Sequence, residues 1–248
     1  MSTPELHRIH LPETESTNSY ARALPVGCGI TLITTDHQTA GRGQRGNTWE
    51  STAGDNLLFS LILRPQSIPA AQQFALCELI SVALCDVLSR YVVDIRIKWP
   101  NDIYHRDRKL CGILIEHDLE GTHLSRTIIG VGLNVNQTSF TSDAPNPISL
   151  LQILGREVER EALLKEVIEH FVELYTQHTS PTPMLSRTEL HERYTRHLYR
   201  QGIEATYRDA SGIFPAILRT VELDGRLILE DQQGNRHSYL FKEVEYLL

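Results

Sequence analysis

The run from Pro69 to Val92 limits the fold most. It reads as one long helix, with Pro69 suited to its first turn. Strand-like segments stand on both sides of it. Asn56 to Leu63 precedes it and is apolar; Asp94 to Lys98, Lys109 to Asp118 and Leu124 to Val131 follow, with a turn at Glu120-Gly121. Upstream, Leu6 to Leu11 alternates weakly and Ile30 to Thr35 is β-branched. Ser16 and Thr17 head a short helical pattern through Leu24. Further helices are expected at Ile148 to Leu154, Glu161 to Gln177 and Leu185 to Leu198. The second of these carries Leu163, Leu164, Val167, Ile168, Phe171, Val172 and Leu174 at helical spacing. Helices interleaved with strands predict an α/β body.

Around Arg200 the character changes. Ile203 to Tyr207, Phe214 to Leu223, Arg226 to Glu230 and His237 to Phe241 read as short strands, with hairpin turns at Asp224-Gly225 and Gly234-Asn235. A small β-barrel appended to the body is expected, dividing the chain at 1–198 and 199–248.

At 248 residues the chain is long enough for one large domain or two smaller ones. The net charge of −7 argues against a general role on nucleic acid but leaves room for a local basic pocket. Cys28, Cys77, Cys85 and Cys111 form no Cys-x-x-Cys pair, so they read as buried free thiols in a reducing cytoplasm. Met1 to His10 has no apolar core of a secretory signal. No stretch is read as approaching the roughly 20 apolar residues of a membrane span, so no membrane is expected.

Four segments carry chemistry. Gly41-Arg42-Gly43-Gln44-Arg45-Gly46, followed by Asn47 and Trp49, lies in a long polar loop from Thr39 to Gly54. Its glycines let backbone N–H groups approach an anion, Arg42 and Arg45 supply cationic forks, and Trp49 offers a flat surface for a purine. The alternative is a solvated basic loop; neither a Walker A loop nor a dinucleotide fingerprint fits. Lys98-Trp99-Pro100-Asn101-Asp102 groups a lysine, an amide and a carboxylate at a strand end, suited to phosphates and magnesium. Taken alone it reads more simply as a polar turn. In Lys109 to Glu116 a lysine opens an apolar strand that Gly112 interrupts, and a glycine within a strand often marks close approach of a ligand. Gly130-Val131-Gly132-Leu133-Asn134 is a second glycine-notched strand. The 11 histidines show no metal spacing, and Ser51, Ser60 and Ser81 lack a Gly-x-Ser-x-Gly frame.

Together and in this order, behind Ser16-Thr17-Asn18, these segments resemble the biotin–protein ligases. The resemblance runs from about Glu13 to Asn136, and the C-terminal strands suit the family's small barrel. It implies an α/β catalytic domain with a mixed sheet, of the class II aminoacyl-tRNA synthetase type, followed by an SH3-like barrel. It implies ATP and biotin as substrates, Mg2+, and a biotin carboxyl carrier protein as acceptor. By matching position, Ser16, Thr17, Asn18 and Gln38 would serve biotin's ureido ring. Gly41, Arg42, Gly43, Gln44, Gly112 and Gly132 would line the biotin slot. Lys109 would sit beside the carboxylate and α-phosphate, with Arg42 and Asp102 as further catalytic groups. Arg42, Arg45, Trp49, Lys98, Asn101, Lys109 and Asn134 would serve ATP, and Asp102 the magnesium.

Two departures stand out. Many members place arginines where this chain has Gln44 and Asn47. Many bacterial members also carry an N-terminal DNA-binding domain, for which 15 residues before Ser16 leave no room; a ligase without specific DNA binding is expected. A homodimer stays open. A lipoate–protein ligase, or a non-catalytic binder of biotin or nucleotide, are the rival readings.

Overall fold

The strand Leu57–Leu63, here β3, is buried at every position, so both its faces must be covered. In the computed structural model, which describes residues 4–25, 27, 29–141 and 146–247 and only the backbone at Arg45, it lies inside a seven-stranded sheet. Its companions are β1 (Leu6–Thr14), β2 (Ile30–Gln38), β4 (Ile95–Lys98), β5 (Asp102–His105), β6 (Arg108–Glu120) and β7 (His123–Leu133), in the order β1-β2-β3-β7-β6-β5-β4. β1 runs parallel to β2 and every other neighbour is antiparallel, so the sheet is mixed as expected.

One face packs on α2 (Phe74–Leu88), α4 (Arg160–Thr179) and α5 (Arg187–Arg196); the short α3 (Leu150–Leu154) follows β7. On the other face α1 (Thr17–Ala23) sets Ala21 against Ile33, Ile62 and Ile128. α2 begins later than its pattern suggested. Pro69 and Ala70 are held by the β6–β7 turn, Ala70 N–H donating to the Thr122 carbonyl at 3.0 Å, and only a 3-10 turn, Ala70–Gln72, fits before Phe74. Contrary to the sequence expectation, Ala70–Leu88 is by length and composition apolar enough to cross a membrane. However, 78% of it is buried inside this protein, where it is the central core helix.

The C-terminal strands β8 (Glu204–Asp209), β9 (Gly212–Val221), β10 (Leu227–Asp231), β11 (Arg236–Tyr239) and β12 (Glu245–Tyr246) form a separate antiparallel sheet, ordered β11-β10-β9-β8-β12. It docks through the predicted Asp224-Gly225 turn. Gly225 has φ +93, and a Cβ there would meet the Phe74 ring at 2.6 Å; its carbonyl accepts the Trp99 indole N–H at 2.9 Å. Cys77, Cys85 and Cys111 are buried free thiols as expected, whereas Cys28 lies outside the described residues.

Candidate active site

β1 and β2 run side by side to the pair Thr14 and Gln38, and α1 starts three residues after Thr14. That places Thr17 against Gln38: the Thr17 backbone N–H donates to Gln38 Oε1 at 2.8 Å. Asn18 Nδ2 donates to the Leu114 carbonyl at 3.3 Å and to Glu116 Oε2 at 2.9 Å. Ser16, Thr17 and Asn18 are all buried, yet they line a cavity of about 880 Å³. This polar cluster is one end of it.

The cavity's middle is built by two glycines. Gly112 on β6 and Gly132 on β7 face each other in register, and the Trp49 indole lies on them. A Cβ at Gly132 would stand 2.4 Å from the indole, and one at Gly112 2.7 Å from it. No other residue type fits beneath that ring. The loop bearing Trp49 folds back on itself: Arg42 pairs with Thr48, Gly43 N–H donates to the Asn47 carbonyl at 2.7 Å, and a 3-10 turn spans Gln44–Gly46. Gln44 reaches across the cavity, its Nε2 donating to Asn101 Oδ1 at 3.2 Å and to the Ile113 carbonyl at 3.0 Å. Arg42 is half exposed, with Nη2 3.6 Å from Glu116 Oε1.

The far end is cationic. The polar turn of the simpler reading is there, and it closes a hairpin whose residues line the cavity: β4 ends at Lys98, Trp99–Pro100 is a cis peptide, and β5 returns from Asp102, which pairs with Lys98. Lys109 Nζ lies 2.6 Å from Asp102 Oδ2 and 5.8 Å from the Trp49 ring centre. Lys98 Nζ donates to Tyr104 Oη at 3.3 Å and sits over the rings of Tyr104 and Tyr246, at 5.1 and 5.3 Å. Burial pushes its pKa down.

The structure brings Ser16, Thr17, Asn18, Gln38, Arg42, Gly43, Gln44, Trp49, Lys98, Asn101, Asp102, Lys109, Gly112 and Gly132 to one cavity wall. Two expected residues stand off it. Gly41 is buried behind the loop, where a Cβ would meet the Trp49 carbonyl at 2.5 Å. Asn134 donates to the Ile148 carbonyl at 3.1 Å, and its Oδ1 is buried without a partner. The Arg45 side chain lies outside the described residues. Sequence reasoning placed Glu116 and Gly130 in its motif strands without giving them a role, and gave none to Ser60 or to the C-terminal Phe241, Val244, Glu245 and Tyr246. Glu116 could have been noticed as a carboxylate ending an apolar strand; the C-terminal residues have no local signal.

The chemistry on offer is narrow. Burial pushes the three described thiols up, so none is a ready nucleophile. Among the described residues no group of three or more His, Cys, Asp or Glu could hold a metal ion by itself. What remains is a polar cluster, a flat indole on a glycine floor, and two lysines with a carboxylate.

Residues 16–134 match the family described as biotin/lipoate A/B protein ligases. The bifunctional ligase/repressor BirA of Bacillus spizizenii is 32% identical over 94% of this chain and 72% of its own length. The biotin–[acetyl-CoA-carboxylase] ligase of Paracoccus denitrificans is 34% identical over 62% of this chain and 67% of its own. Of further ligase/repressors the match spans 57% to 64%. The fold is that of a biotin protein ligase from Aquifex aeolicus solved with biotin and ATP, with TM-score 0.80 and 24% identity over 97% of this chain and 99% of that one.

Proposed function

Since this chain belongs to the biotin/lipoate A/B protein ligase family, we propose that it activates biotin with ATP and passes the biotinyl group to a lysine of a biotin carboxyl carrier protein. One observation carries the reading. A polar cluster suited to a ring of alternating donors and acceptors, and a cationic end suited to phosphates, share a single cavity of about 880 Å³. An acyl-adenylate needs both in one enclosure.

In the first step a biotin carboxylate oxygen attacks the α-phosphorus of ATP. The bond to the β-phosphate's bridging oxygen breaks and pyrophosphate leaves. In the second, the acceptor lysine's amine attacks the acyl carbon. A C–N bond forms, the acyl–phosphate C–O bond breaks, AMP leaves, and the amine loses a proton. Lys109 stands where the cationic end meets the glycine floor, its Cε 3.2 Å from where a Cβ at Gly112 would be; negative charge builds there on the transferring oxygens, and Asp102 holds the ammonium in place. Lys98 and Asn101 serve the polyphosphate. Trp49 covers the glycine floor and offers its face to the purine.

Magnesium fits as an ion that arrives with the phosphates. It binds through one or two carboxylates plus phosphate oxygens. Asp102 faces the cavity with only Oδ2 engaged by Lys109, so its other oxygen would hold the ion or its water shell. The ion would offset phosphate charge.

Biotin is favoured over lipoate by the cluster at Ser16 to Asn18. A dithiolane ring has no hydrogen-bonding group to offer the polar atoms of this cluster, whereas a ureido ring has two N–H donors and a carbonyl. We also read the C-terminal sheet as the SH3-like barrel (199–248) on a synthetase-like catalytic domain (1–198). The test is ATP–pyrophosphate exchange with either acid. Biotin-dependent exchange is expected. Exchange with lipoate alone makes the chain a lipoate ligase, and no exchange despite biotin binding makes it a binder.

A further inference from the structure

Beneath the polar end of the cavity, two hydroxyl protons must serve three oxygen–oxygen contacts. Ser60 sits on β3, fully buried and outside the cavity lining. Its Oγ lies 2.6 Å from Asn18 Oδ1 and 2.7 Å from Thr17 Oγ1. Thr17 Oγ1 is also 3.2 Å from Gln38 Oε1. The amides cannot help. Asn18 Nδ2 is committed to the Leu114 carbonyl and the Glu116 carboxylate, both pure acceptors, so Asn18 must present its oxygen to Ser60. Gln38 Oε1 already accepts the Thr17 backbone N–H, which fixes that amide too.

The distances then assign the protons. Two oxygens 2.6 Å apart need a proton between them, and between Ser60 and Asn18 only the serine has one. The Ser60 to Thr17 contact at 2.7 Å must therefore use the threonine's proton. The longest contact, Thr17 to Gln38, goes without. Thr17, which lines the cavity, is left with acceptor lone pairs alone.

We propose that Ser60 is a specificity-positioning residue: by drawing the Thr17 proton inward it makes that hydroxyl demand an N–H from the ligand. The inference rests on the reading of this end as the site of biotin's ureido ring, which carries an N–H on each side of its carbonyl.

The experiment is calorimetric titration with biotin and with the two cyclic carbamates in which one or the other ring N–H is replaced by oxygen. Wild type should bind one carbamate at least ~100-fold more weakly than biotin, because a site built around a donor rejects the analogue lacking it. Ser60→Ala removes the short acceptor of the Thr17 proton, which is then shared between the longer 3.2 Å contact to Gln38 Oε1 and the cavity. Biotin affinity should fall about 10-fold and the discrimination should shrink to under ~10-fold. A merely structural role would weaken both ligands together and leave the ratio unchanged, which would overturn the proposal. Ser60→Cys, of similar size with a weak donor, should give an intermediate ratio and answers the case in which Ser60→Ala fails to fold. A wild type that binds biotin and both carbamates alike sinks this inference alone. A wild type that binds lipoate and not biotin sinks the functional reading with it.

Discussion

Lys109 and Asp102 are each somewhat under one-third exposed, in a wall that a bound ligand would close further. A single well-placed donor to a developing oxyanion is worth on the order of 10²–10³ in rate. Lys109→Ala should therefore lower pyrophosphate exchange by about that factor while thermal unfolding stays near wild type; exchange at the wild-type rate would reduce Lys109 to an edge residue. Gln44 changes what the loop's charges are expected to do. By charge alone Arg42 and Arg45, the cations between Thr39 and Gly54, are the residues to hold the loop over an anionic ligand. The structure has Gln44 bridging to Asn101 and Ile113, while Arg42 is half exposed near Glu116. Gln44 thus seats the loop, while Arg42, half exposed and paired only at 3.6 Å with Glu116, is placed to meet ligand charge. Charge-assisted bonds are worth roughly 1.5–3 kcal/mol against about 1 for neutral ones. Arg42→Ala should raise the rate of acyl-adenylate escape more than Gln44→Ala does, whereas only Gln44→Ala should expose the loop to protease without ligand. Rapid escape from Gln44→Ala alone would show that neutral bonds control retention. At this scale the motif residues were legible because their types are unusual for their places. Ser60 was not, because a serine within an apolar strand carries no mark of what stands opposite it.

Among elements, the glycine floor depends on register. Gly112 and Gly132 act together only because β6 and β7 pair them, and nothing in either strand alone announces the partner. Gly132→Ala would put a methyl 2.4–2.8 Å from the Trp49 ring and must displace it. The expected outcome is a shift in tryptophan fluorescence and loss of nucleotide binding, with biotin binding less affected; an unchanged spectrum would mean that the ring tolerates the methyl. A pH effect belongs to the α2–α4 contact. Asp86 lies 2.9 Å from His170 Nε2, which raises the histidine's pKa above its ordinary 6.5 and holds the carboxyl well below its usual range. The histidine is the raised group. Its stabilisation is full below the unfolded pKa of about 6.5 and disappears as pH climbs through the folded value. Urea unfolding of wild type and His170→Ala should therefore differ most near pH 6 and converge in mildly alkaline buffer. A gap that persists there would point to packing instead.

For the whole molecule, one buried carboxylate joins three parts of the chain. Glu78, inaccessible on α2, meets Arg187 and lies 2.7 Å from His191 Nδ1, both on α5. Arg187 also donates to the Leu223 carbonyl at 2.7 Å, beside the turn that docks the C-terminal sheet. Removing one partner of a buried ion pair costs about 3–5 kcal/mol, because the other charge is left uncompensated. Arg187→Ala should lose stability of that order in denaturant titration. It should also raise the KM for ATP more than that for biotin, since Phe241, Val244, Glu245 and Tyr246 line the cavity and the Tyr246 ring lies under Lys98 at the cationic end. Equal changes in both would mean that the C-terminal sheet does not shape the nucleotide site.

Periodicity and residue type were enough to determine the α/β body, the central helix and two hairpins of the C-terminal sheet, and the motifs taken together, through the family they resemble, pointed to residues around the cavity. These are local properties, written in windows of a few residues, and the physics that reads them is local too. Only the tertiary structure decided that β5 exists, that α2 starts at Phe74, that Gly41 and Asn134 stand behind the wall, and that Tyr246 reaches Lys98. It also decided that Ser60 hides beneath Thr17. Each of these depends on which strand pairs with which and on what covers a backbone group from far along the chain. A contact between residues a hundred positions apart leaves no trace in the neighbourhood of either.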